Sequence, residues 1–191
     1  MAGKWMINPG LFSKSWWRAL LFSLILMILS GPGYGKDYKG GELRTYDTYR
    51  YGRFEVRMKS AAGSGVLSSF FTYHDFTSGG AGNWNEIDWE WLGNHDDKAQ
   101  TNLIIQNQWD LTELIDFNFN PHEDFHTYAF EWTPDYVAFF VDEQSVRWID
   151  NFYVDSLYHY QKIMMNIWQP IYEEWVGPFN PGILPVYAFY D

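Results

Sequence analysis

Three carboxylate residues alternate with large apolar residues along one short segment of the chain. Glu86, Asp88 and Glu90 are separated by Ile87 and Trp89. In a β-strand, residues i, i+2 and i+4 share one face, so the three carboxylates would point one way and the two apolar residues toward a core. Carboxylates this crowded repel one another, which raises at least one pKa. The segment therefore predicts an acid–base site, or alternatively an exposed acidic strand face without a chemical role.

The spacing of the two glutamates suits a pair of carboxyl groups that act on one bond. At a rise of about 3.3 Å per residue, the Cα atoms of Glu86 and Glu90 lie about 13 Å apart. Side chains that lean toward each other could bring the carboxyl groups near the ~5 Å separation of a retaining glycosidase. One glutamate would attack the anomeric carbon while the other donates a proton to the leaving oxygen and later activates water. Asp88 would hydrogen-bond the nucleophile and help to separate the two pKa values.

Composition points to a carbohydrate ligand. Of 191 residues, 21% are aromatic and only 19% are charged, so many rings are expected to line a surface or cleft. Sugar rings present flat C–H faces that stack on such rings. The net charge of -11 disfavours nucleic acid as a partner, because phosphates are held by clustered Lys and Arg. The absence of Cys excludes disulfides, thiolate metal sites and Cys nucleophiles.

Short runs of β-branched and aromatic residues recur along the chain from Gly40 onward. The run from Arg53 to Lys59 alternates strictly between apolar and charged residues, as a half-buried strand does. Gly-rich and Pro-Asp turn signals separate the runs, and no stretch has a long helical period. The pattern predicts an all-β sandwich or barrel. The predicted strands are 53–59, 66–73, 101–106, 126–133, 137–141 and 162–168.

The N-terminal segment, residues 1–39, carries basic residues followed by an unbroken apolar run at 19–29. That run is shorter than the roughly 20 apolar residues of a membrane-spanning helix, so no stable membrane insertion is expected. It fits the apolar core of a secretion signal. Buried strands at the start of the mature domain are the alternative, because periodicity does not separate the two. Residues 40–191 are expected to form one catalytic domain.

The carboxylate segment resembles the active-site signature of glycoside hydrolase family 16. Glu86-Ile87-Asp88-Trp89-Glu90 matches the signature, and the following Trp91-Leu92-Gly93 is similar to the Phe-Leu-Gly of lichenases, the endo-1,3-1,4-β-glucanases of that family. The resemblance covers the chain from about Gly40 to Asp191. Further segments resemble lichenase segments in the same order, namely 41–45, 51–59, 68–73, 125–132 and 163–168.

The resemblance implies a fold, an activity and a location. The fold is a jelly-roll β-sandwich of two antiparallel sheets with a concave substrate groove. The activity is endo-hydrolysis of a β-glucan with retention, in which Glu86 is the nucleophile, Glu90 the general acid and base, and Asp88 the assisting carboxylate. No cofactor is required for catalysis. The expected protein is a secreted or periplasmic monomer whose partner is a polysaccharide.

The resemblance also implies residues that line the cleft and a candidate metal ligand. The implied substrate-binding residues are Glu42, Arg44, Phe71, Tyr73, Trp84, Gln100, Asn102, Asn166, Trp168 and Trp175. Asp191 coincides with a calcium-ligand Asp of many relatives, and a structural calcium is the only metal expected. Calcium takes six to eight oxygen ligands, of which this is one. Tyr190-Asp191 matches the beginning of the family's last strand, which then stops.

The form of the signature bears on the substrate. Laminarinase- and agarase-type members usually carry one extra residue, a β-bulge, before the second glutamate, whereas this chain has the regular five-residue form. The regular form favours mixed-linkage 1,3-1,4-β-glucan, with endo-1,3-β-glucanase or marine galactan hydrolase activity as the alternative. A non-catalytic glucan-binding module and a transglycosylase are the two further hypotheses.

Overall fold

The computed structural model describes residues 38–74, 84–106 and 109–191. Residues 1–37 lie outside the described ranges, so the choice between a secretion signal and buried strands for the N-terminal segment is not addressed by them. None of the helices in the described ranges is long and apolar enough to cross a membrane. The described strands are β1 (Gly41–Arg44), β2 (Gly52–Lys59), β3 (Leu67–Tyr73), β4 (Asn85–Leu92), β5 (Lys98–Ile105), β6 (Trp109–Asp110), β7 (Glu113–Asp116), β8 (His126–Trp132), β9 (Tyr136–Val141), β10 (Gln144–Asp150), β11 (Lys162–Trp168) and β12 (Phe189–Tyr190). The single-turn helix is α1 (Glu173–Val176), and 3₁₀ turns span Asn151–Ser156 and Pro181–Ile183.

The strands form two antiparallel sheets. The seven-stranded sheet, here called the front sheet, has the order β1-β11-β3-β4-β5-β6, with β7 also paired to β5. The five-stranded back sheet has the order β10-β9-β8-β2-β12. All described pairs are antiparallel. The expected fold class, an all-β jelly-roll sandwich of two antiparallel sheets, is confirmed.

The six strands predicted from the pattern are all present, with ends that differ by a few residues. The alternating run 53–59 lies in β2. Its apolar residues, Phe54, Val56 and Met58, are buried between the two sheets, and the charged residues between them, Glu55 and Arg57, are exposed. Lys98–Ile105 begins three residues before the predicted 101–106. The two-residue strand β6 was not predicted, because so short a run carries no readable alternation. The strand β12 (Phe189–Tyr190) overlaps Tyr190-Asp191, where the resemblance implied the beginning of the last strand.

Aromatic side chains fill the space between the sheets. Trp89 and Trp91 of β4 are fully buried, and their rings stack with centroids 5.7 Å apart. The Trp89 ring also packs edge-on against Tyr128 of the back sheet, and its Nε1 donates a 3.0 Å hydrogen bond to the carbonyl oxygen of Ala129. The expectation that many rings line a cleft holds only in part, since the largest fully buried side chains are mostly aromatic. These rings fix β4 from behind.

The C-terminal end of β4 is set by a close backbone contact. A Cβ atom at Gly93 would lie 2.4 Å from the carbonyl oxygen of Gly63, so only glycine fits this position. The Gly93 N–H donates to the carbonyl oxygen of Val66 and its own carbonyl accepts from the Gly63 N–H. The chain after β4 is thereby held against the loop that precedes β3.

Candidate active site

Cross-strand pairing arranges the carboxylates and most of the expected cleft residues in three rows on the outer face of the front sheet. β4 lies in the middle of this sheet and contributes one carboxylate to each row. The rows are Lys162, Tyr73, Glu86, Ile104 and Asp110; then Arg44, Met164, Phe71, Asp88 and Asn102; then Glu42, Asn166, Ser69, Glu90, Gln100 and Leu114.

The register of β4 is regular through the carboxylate segment. Glu86 pairs with Tyr73 and Glu90 pairs with Ser69, and the pairs between them follow without a shift. The pairing with β5 is equally continuous, from Asn85 to Glu90. The strand has no bulge here, as the five-residue form of the segment predicts, so the alternation holds all three carboxylates on one face.

Glu86 accepts two hydrogen bonds from neighbouring side chains. The indole Nε1 of Trp84 donates to Glu86 Oε2 at 2.6 Å. Asp88 donates a second hydrogen bond to the same carboxyl group. Burial raises the pKa of Glu86 from its ordinary 4.5 to about 7, and the two donors counteract part of that rise because they favour the ionised form.

Asp88 is the most deeply buried of the three carboxylates, with 3% of its surface exposed. Burial raises its pKa well above the ordinary 3.8, and the charges of Glu86 and Glu90 on either side raise it further. Donating to Glu86 also requires that Asp88 keep its proton. Asp88 is therefore the neutral member that supports the ionised form of Glu86.

Glu90 accepts a hydrogen bond from an amide. The Nε2 of Gln100 donates to Glu90 Oε2 at 2.6 Å, which lowers the pKa of Glu90. Burial outweighs this effect, and the charges of Glu86 and Asp110 add to it, so the pKa of Glu90 rises from 4.5 to about 8. Asp110, on the two-residue strand β6, was not predicted from the sequence, where nothing marks it as a neighbour of the carboxylates.

The different surroundings of the two glutamates give them different proton affinities. Burial raises the pKa of both glutamates, but Glu86 accepts hydrogen bonds from Trp84 and Asp88 while Glu90 accepts one from Gln100, so the ionised form is favoured more at Glu86. Near neutral pH the outer face of the front sheet can thus present the Glu86 carboxylate and the Glu90 carboxylic acid to a ligand. That is the pair needed for nucleophilic attack with simultaneous proton donation.

Two buried amide oxygens beside the carboxylates lack a partner. Oδ1 of Asn102 and Oδ1 of Asn166 are buried and accept no hydrogen bond within the described part of the chain. A buried acceptor left without a donor costs free energy. Phe71, which pairs with Asp88 across the strands, provides an apolar ring in the same row.

The expected cleft residues at the far edge of the front sheet lie on β1. Arg44 Nε donates to Glu42 Oε1 at 3.0 Å, and both side chains are exposed. A cavity of about 370 Å³ lies beside them and is lined by Gly40, Gly41, Glu42, Asn166, Ile167 and Trp168. The structure therefore brings Glu42 to the same surface as Asn166 and Trp168, while Arg44 pairs with Glu42.

Trp168 and Trp175 pack together against a small apolar cluster at the Glu90 end of β4. The cluster consists of Leu67, Leu92 and Val176, and both tryptophans are partly buried against it. Trp175 also donates from Nε1 to Gln100 Oε1 at 3.2 Å. Every residue expected to line the cleft thus lies on the front sheet, next to it, or in contact with one of its side chains.

The family resemblance is matched by direct comparison with known proteins. The model for glycosyl hydrolases family 16 matches residues 23–176. The chain belongs to that family. The matched range starts inside the segment 1–39. A curated β-glucanase of Bacillus subtilis (strain 168) is 38% identical over 190 residues, which are 96% of this chain and 75% of the relative.

Solved structures of the family have the same fold. A prokaryotic β-1,3-1,4-glucanase (lichenase) derived from a mouse hindgut metagenome superposes with a TM-score of 0.74 and is 40% identical, covering 84% of this chain and 73% of that one. A Bacillus licheniformis β-glucanase gives a TM-score of 0.71 at 37% identity, over 78% of this chain and 67% of that one.

The calcium expected of this family 16 chain gains no support from the surroundings of Asp191. The Asp191 carboxylate accepts a 3.1 Å hydrogen bond from the guanidinium of Arg57, a cation that would repel a metal ion. Within the described ranges, no group of three or more His, Cys, Asp or Glu side chains is placed to hold a metal. Calcium also takes backbone carbonyl and water oxygens, so the calcium expectation stays a prediction.

The buried carboxyl groups make the stability of this family 16 chain depend on pH. The folded chain keeps the proton of Glu90 to about pH 8, whereas the unfolded chain loses it near 4.5. The folded state therefore binds more protons in this window, and its free energy of unfolding falls as the pH rises from 4.5 to 8. Glu90→Gln removes the part of this dependence that Glu90 contributes, because the amide does not ionise, while the parts due to Glu86 and Asp88 remain.

We expect Glu90→Gln and the unsubstituted chain to unfold at similar urea concentrations at pH 4.5. At pH 8.5 the variant is expected to be more stable by on the order of 1–3 kcal/mol, since one pKa unit corresponds to about 1.4 kcal/mol. Urea unfolding followed by tryptophan fluorescence at both pH values measures the difference. The exposed Glu174→Gln is the control and should show no such pH-dependent gain. An equal difference at both pH values would contradict the raised pKa of Glu90.

Proposed function

We propose that this chain is a retaining endo-β-glucanase that hydrolyses mixed-linkage 1,3-1,4-β-glucan by double displacement. The observation that supports it most strongly is the asymmetry of the two glutamates on one strand face. Glu86 accepts from Trp84 and Asp88, which favour its ionised form, whereas Glu90 accepts from the neutral amide of Gln100 and its pKa is raised by burial and by the charges of Glu86 and Asp110. Glu86 is thereby suited to be the nucleophile and Glu90 the general acid and base.

The first step forms a covalent intermediate. The Glu86 carboxylate attacks the anomeric carbon, the bond from that carbon to the glycosidic oxygen breaks, and Glu90 gives its proton to the departing oxygen. Asp88 donates a hydrogen bond to Glu86, which orients the attacking carboxylate and stabilises it again when its bond to the sugar breaks in the second step.

The second step releases the sugar. Glu90, now ionised, takes a proton from a water molecule, and the water oxygen attacks the anomeric carbon on the face that the leaving group vacated. The bond to Glu86 breaks, and both glutamates return to their initial states. Because each step inverts the anomeric carbon, the overall result is retention.

The choice of mixed-linkage glucan is supported by the regular strand and by the relatives. β4 carries its three carboxylates without a bulge. The mouse hindgut metagenome structure, 40% identical to this chain over the aligned part, is a β-1,3-1,4-glucanase (lichenase). The half-buried Trp84 and Trp168, which were expected to line the cleft, supply aromatic rings on which a glucose ring could stack.

The substrate also suggests where the protein works. A polysaccharide does not cross a membrane, so we place the enzyme outside the cell or in the periplasm, acting as a monomer through residues 40–191. No cofactor is needed, because the two glutamates supply both the nucleophile and the proton.

The experiment that tests this function is a comparison of reducing-sugar release from barley β-glucan, laminarin, xyloglucan and agarose by the purified chain. We expect release from barley glucan at least about 10²-fold faster than from the other polymers, since a substrate that misplaces its scissile bond by an ångström can lose that much. Faster release from laminarin or agarose would keep the mechanism and overturn the linkage assignment.

The same reactions separate the two remaining hypotheses. If the chain were a glucan-binding module, it would bind to insoluble glucan and release no sugar. A transglycosylase would yield oligosaccharides longer than those supplied, detected by mass spectrometry, because a sugar hydroxyl replaces water in the second step. We expect neither: products should be shorter than the substrate throughout the reaction.

A further inference from the structure

Gln100 lies between Glu90 and a residue outside the front sheet. Its Nε2 donates to Glu90 Oε2 at 2.6 Å, and its Oε1 accepts from Trp175 Nε1 at 3.2 Å. Gln100 is 8% exposed, so water has little access to exchange with either partner. The two hydrogen bonds form a chain from the indole to the carboxyl group.

The indole decides which end of the amide faces the carboxyl group. A glutamine amide has a donor end and an acceptor end of nearly the same shape, and either end can meet a carboxyl group in one of its protonation states. An indole N–H only donates, so Trp175 can bond only the oxygen of Gln100. With Trp175 in place, the NH₂ group must point at Glu90.

Trp175 is itself held by a separate part of the chain. It lies in α1, where the N–H groups of Trp175 and Val176 donate to the carbonyl oxygen of Tyr172. The next residue, Val176, is fully buried in the cluster with Leu67 and Leu92, and its carbonyl accepts a 2.7 Å hydrogen bond from the Gly65 N–H. The position of the indole is thus fixed from the loop before β3 and from the end of β4.

We propose that Trp175 is a positioning residue for Glu90: its indole N–H locks the orientation of the Gln100 amide so that the amide donates to the acid and base. The proposal rests on the role of Glu90 in the proposed function. It assigns Trp175 an action through Gln100 that is distinct from stacking on a sugar.

The orientation affects the two steps of the reaction in opposite directions. Donation from the amide favours ionised Glu90, and ionised Glu90 is the base of the second step. If the amide turned, its oxygen would accept from protonated Glu90 and favour the acid form instead. Loss of the indole N–H should therefore extend the pH range of the first step and slow the second.

The test compares Trp175→Phe, which keeps an aromatic ring but removes the N–H, with the unsubstituted enzyme. The basic limb of kcat/KM for barley glucan, which reports the acid in the free enzyme, is expected to move up by about 0.5 to 1 pH unit. With an aryl glycoside whose leaving group needs no proton, the second step limits kcat. For this substrate we expect kcat of Trp175→Phe to be several-fold lower at pH 6. The loss of kcat should shrink as the pH rises, because a higher pH restores the ionised form of Glu90, the base of the second step.

Two further variants separate this role from loss of packing or sugar contact. Gln100→Met removes the amide at similar length and should shift the same limb, and adding Trp175→Phe to it should shift the limb no further. Trp168→Phe removes an indole from the same apolar cluster and should leave the limb in place, whatever it does to KM.

The outcomes are distinct. The proposal is overturned if the basic limb of the kcat/KM profile is unchanged in Trp175→Phe but shifted in Gln100→Met. A further shift of this limb in the double variant also overturns it. A fall in activity of Trp175→Phe that is equal at every pH also overturns it, and leaves Trp175 as a sugar contact or packing residue. A failure of the proposed function is seen separately, because Glu90→Ala would then behave alike on glucan and on the aryl glycoside.

Discussion

Glu86→Ala is expected to lower kcat/KM for barley glucan by on the order of 10⁴-fold or more. The reason is that alanine offers no group to form the covalent intermediate, while Glu90 still faces the bond to be cleaved. Azide added at high concentration should restore turnover of an aryl glycoside, because the small anion fits the space of the missing carboxylate. It would attack from the same side as Glu86 and give the glycosyl azide of inverted configuration, which NMR identifies.

The control for this variant is Glu55→Ala. Glu55 is an exposed glutamate on β2 of the back sheet, where it pairs with Arg53. Its replacement should leave hydrolysis unchanged. A Glu86→Ala chain that is folded by circular dichroism and still hydrolyses barley glucan would remove Glu86 from the role of nucleophile. A rescued product of retained configuration would do the same.

The placement of the three carboxylates could be predicted because it depends on one property of a strand. Side chains alternate with a period of two, so knowing that 86–90 is extended is enough to place Glu86, Asp88 and Glu90 on one face. The structure adds the reason why this strand is rigid. Trp89 is buried behind the carboxylates and bonded to Ala129 of the back sheet.

The contacts that distinguish the two glutamates were beyond prediction from pattern. Trp84 was expected in the cleft, but that its indole N–H is bonded to Glu86 depends on a side-chain rotamer. Asp110 raises the pKa of Glu90 only because β6 pairs with the end of β5. The sequence of a two-residue strand does not indicate this pairing. Local alternation says which face a residue occupies and nothing about which neighbour it meets.

Contacts between residues far apart in sequence were the hardest to foresee. Trp175 and Gln100 were each expected in the cleft by resemblance, yet their hydrogen bond joins a single-turn helix to a strand 75 residues earlier. The pairing of Asp191 with Arg57 is similar, since the two meet only because β12 lies beside β2. Such contacts follow from the closed sandwich and are set once both sheets have formed.

Glu90→Ala is expected to lower activity far more on substrates whose leaving group needs a proton than on substrates whose leaving group does not. Cleavage of barley glucan should fall by about 10² to 10⁴-fold, the usual contribution of a general acid and base. An aryl glycoside with a weakly basic leaving group needs no proton, so its first step should proceed and the glycosyl-enzyme at Glu86 should accumulate. A burst of released phenol followed by slow turnover is the expected time course, measured by stopped-flow absorbance.

Azide then discriminates between the two glutamates by stereochemistry. In Glu90→Ala, azide meets the intermediate already formed on Glu86, attacks from the opposite face and gives the glycosyl azide of retained configuration. In Glu86→Ala the same reagent gives the inverted product, so the two variants are controls for each other. Equal loss on glucan and aryl glycoside, or inverted azide from Glu90→Ala, would show that Glu90 is not the acid and base. Burial and the charges of Glu86 and Asp110 raise the pKa of Glu90, so this residue still holds a proton for the leaving oxygen near neutral pH, which is the physical reason to expect the outcome stated here.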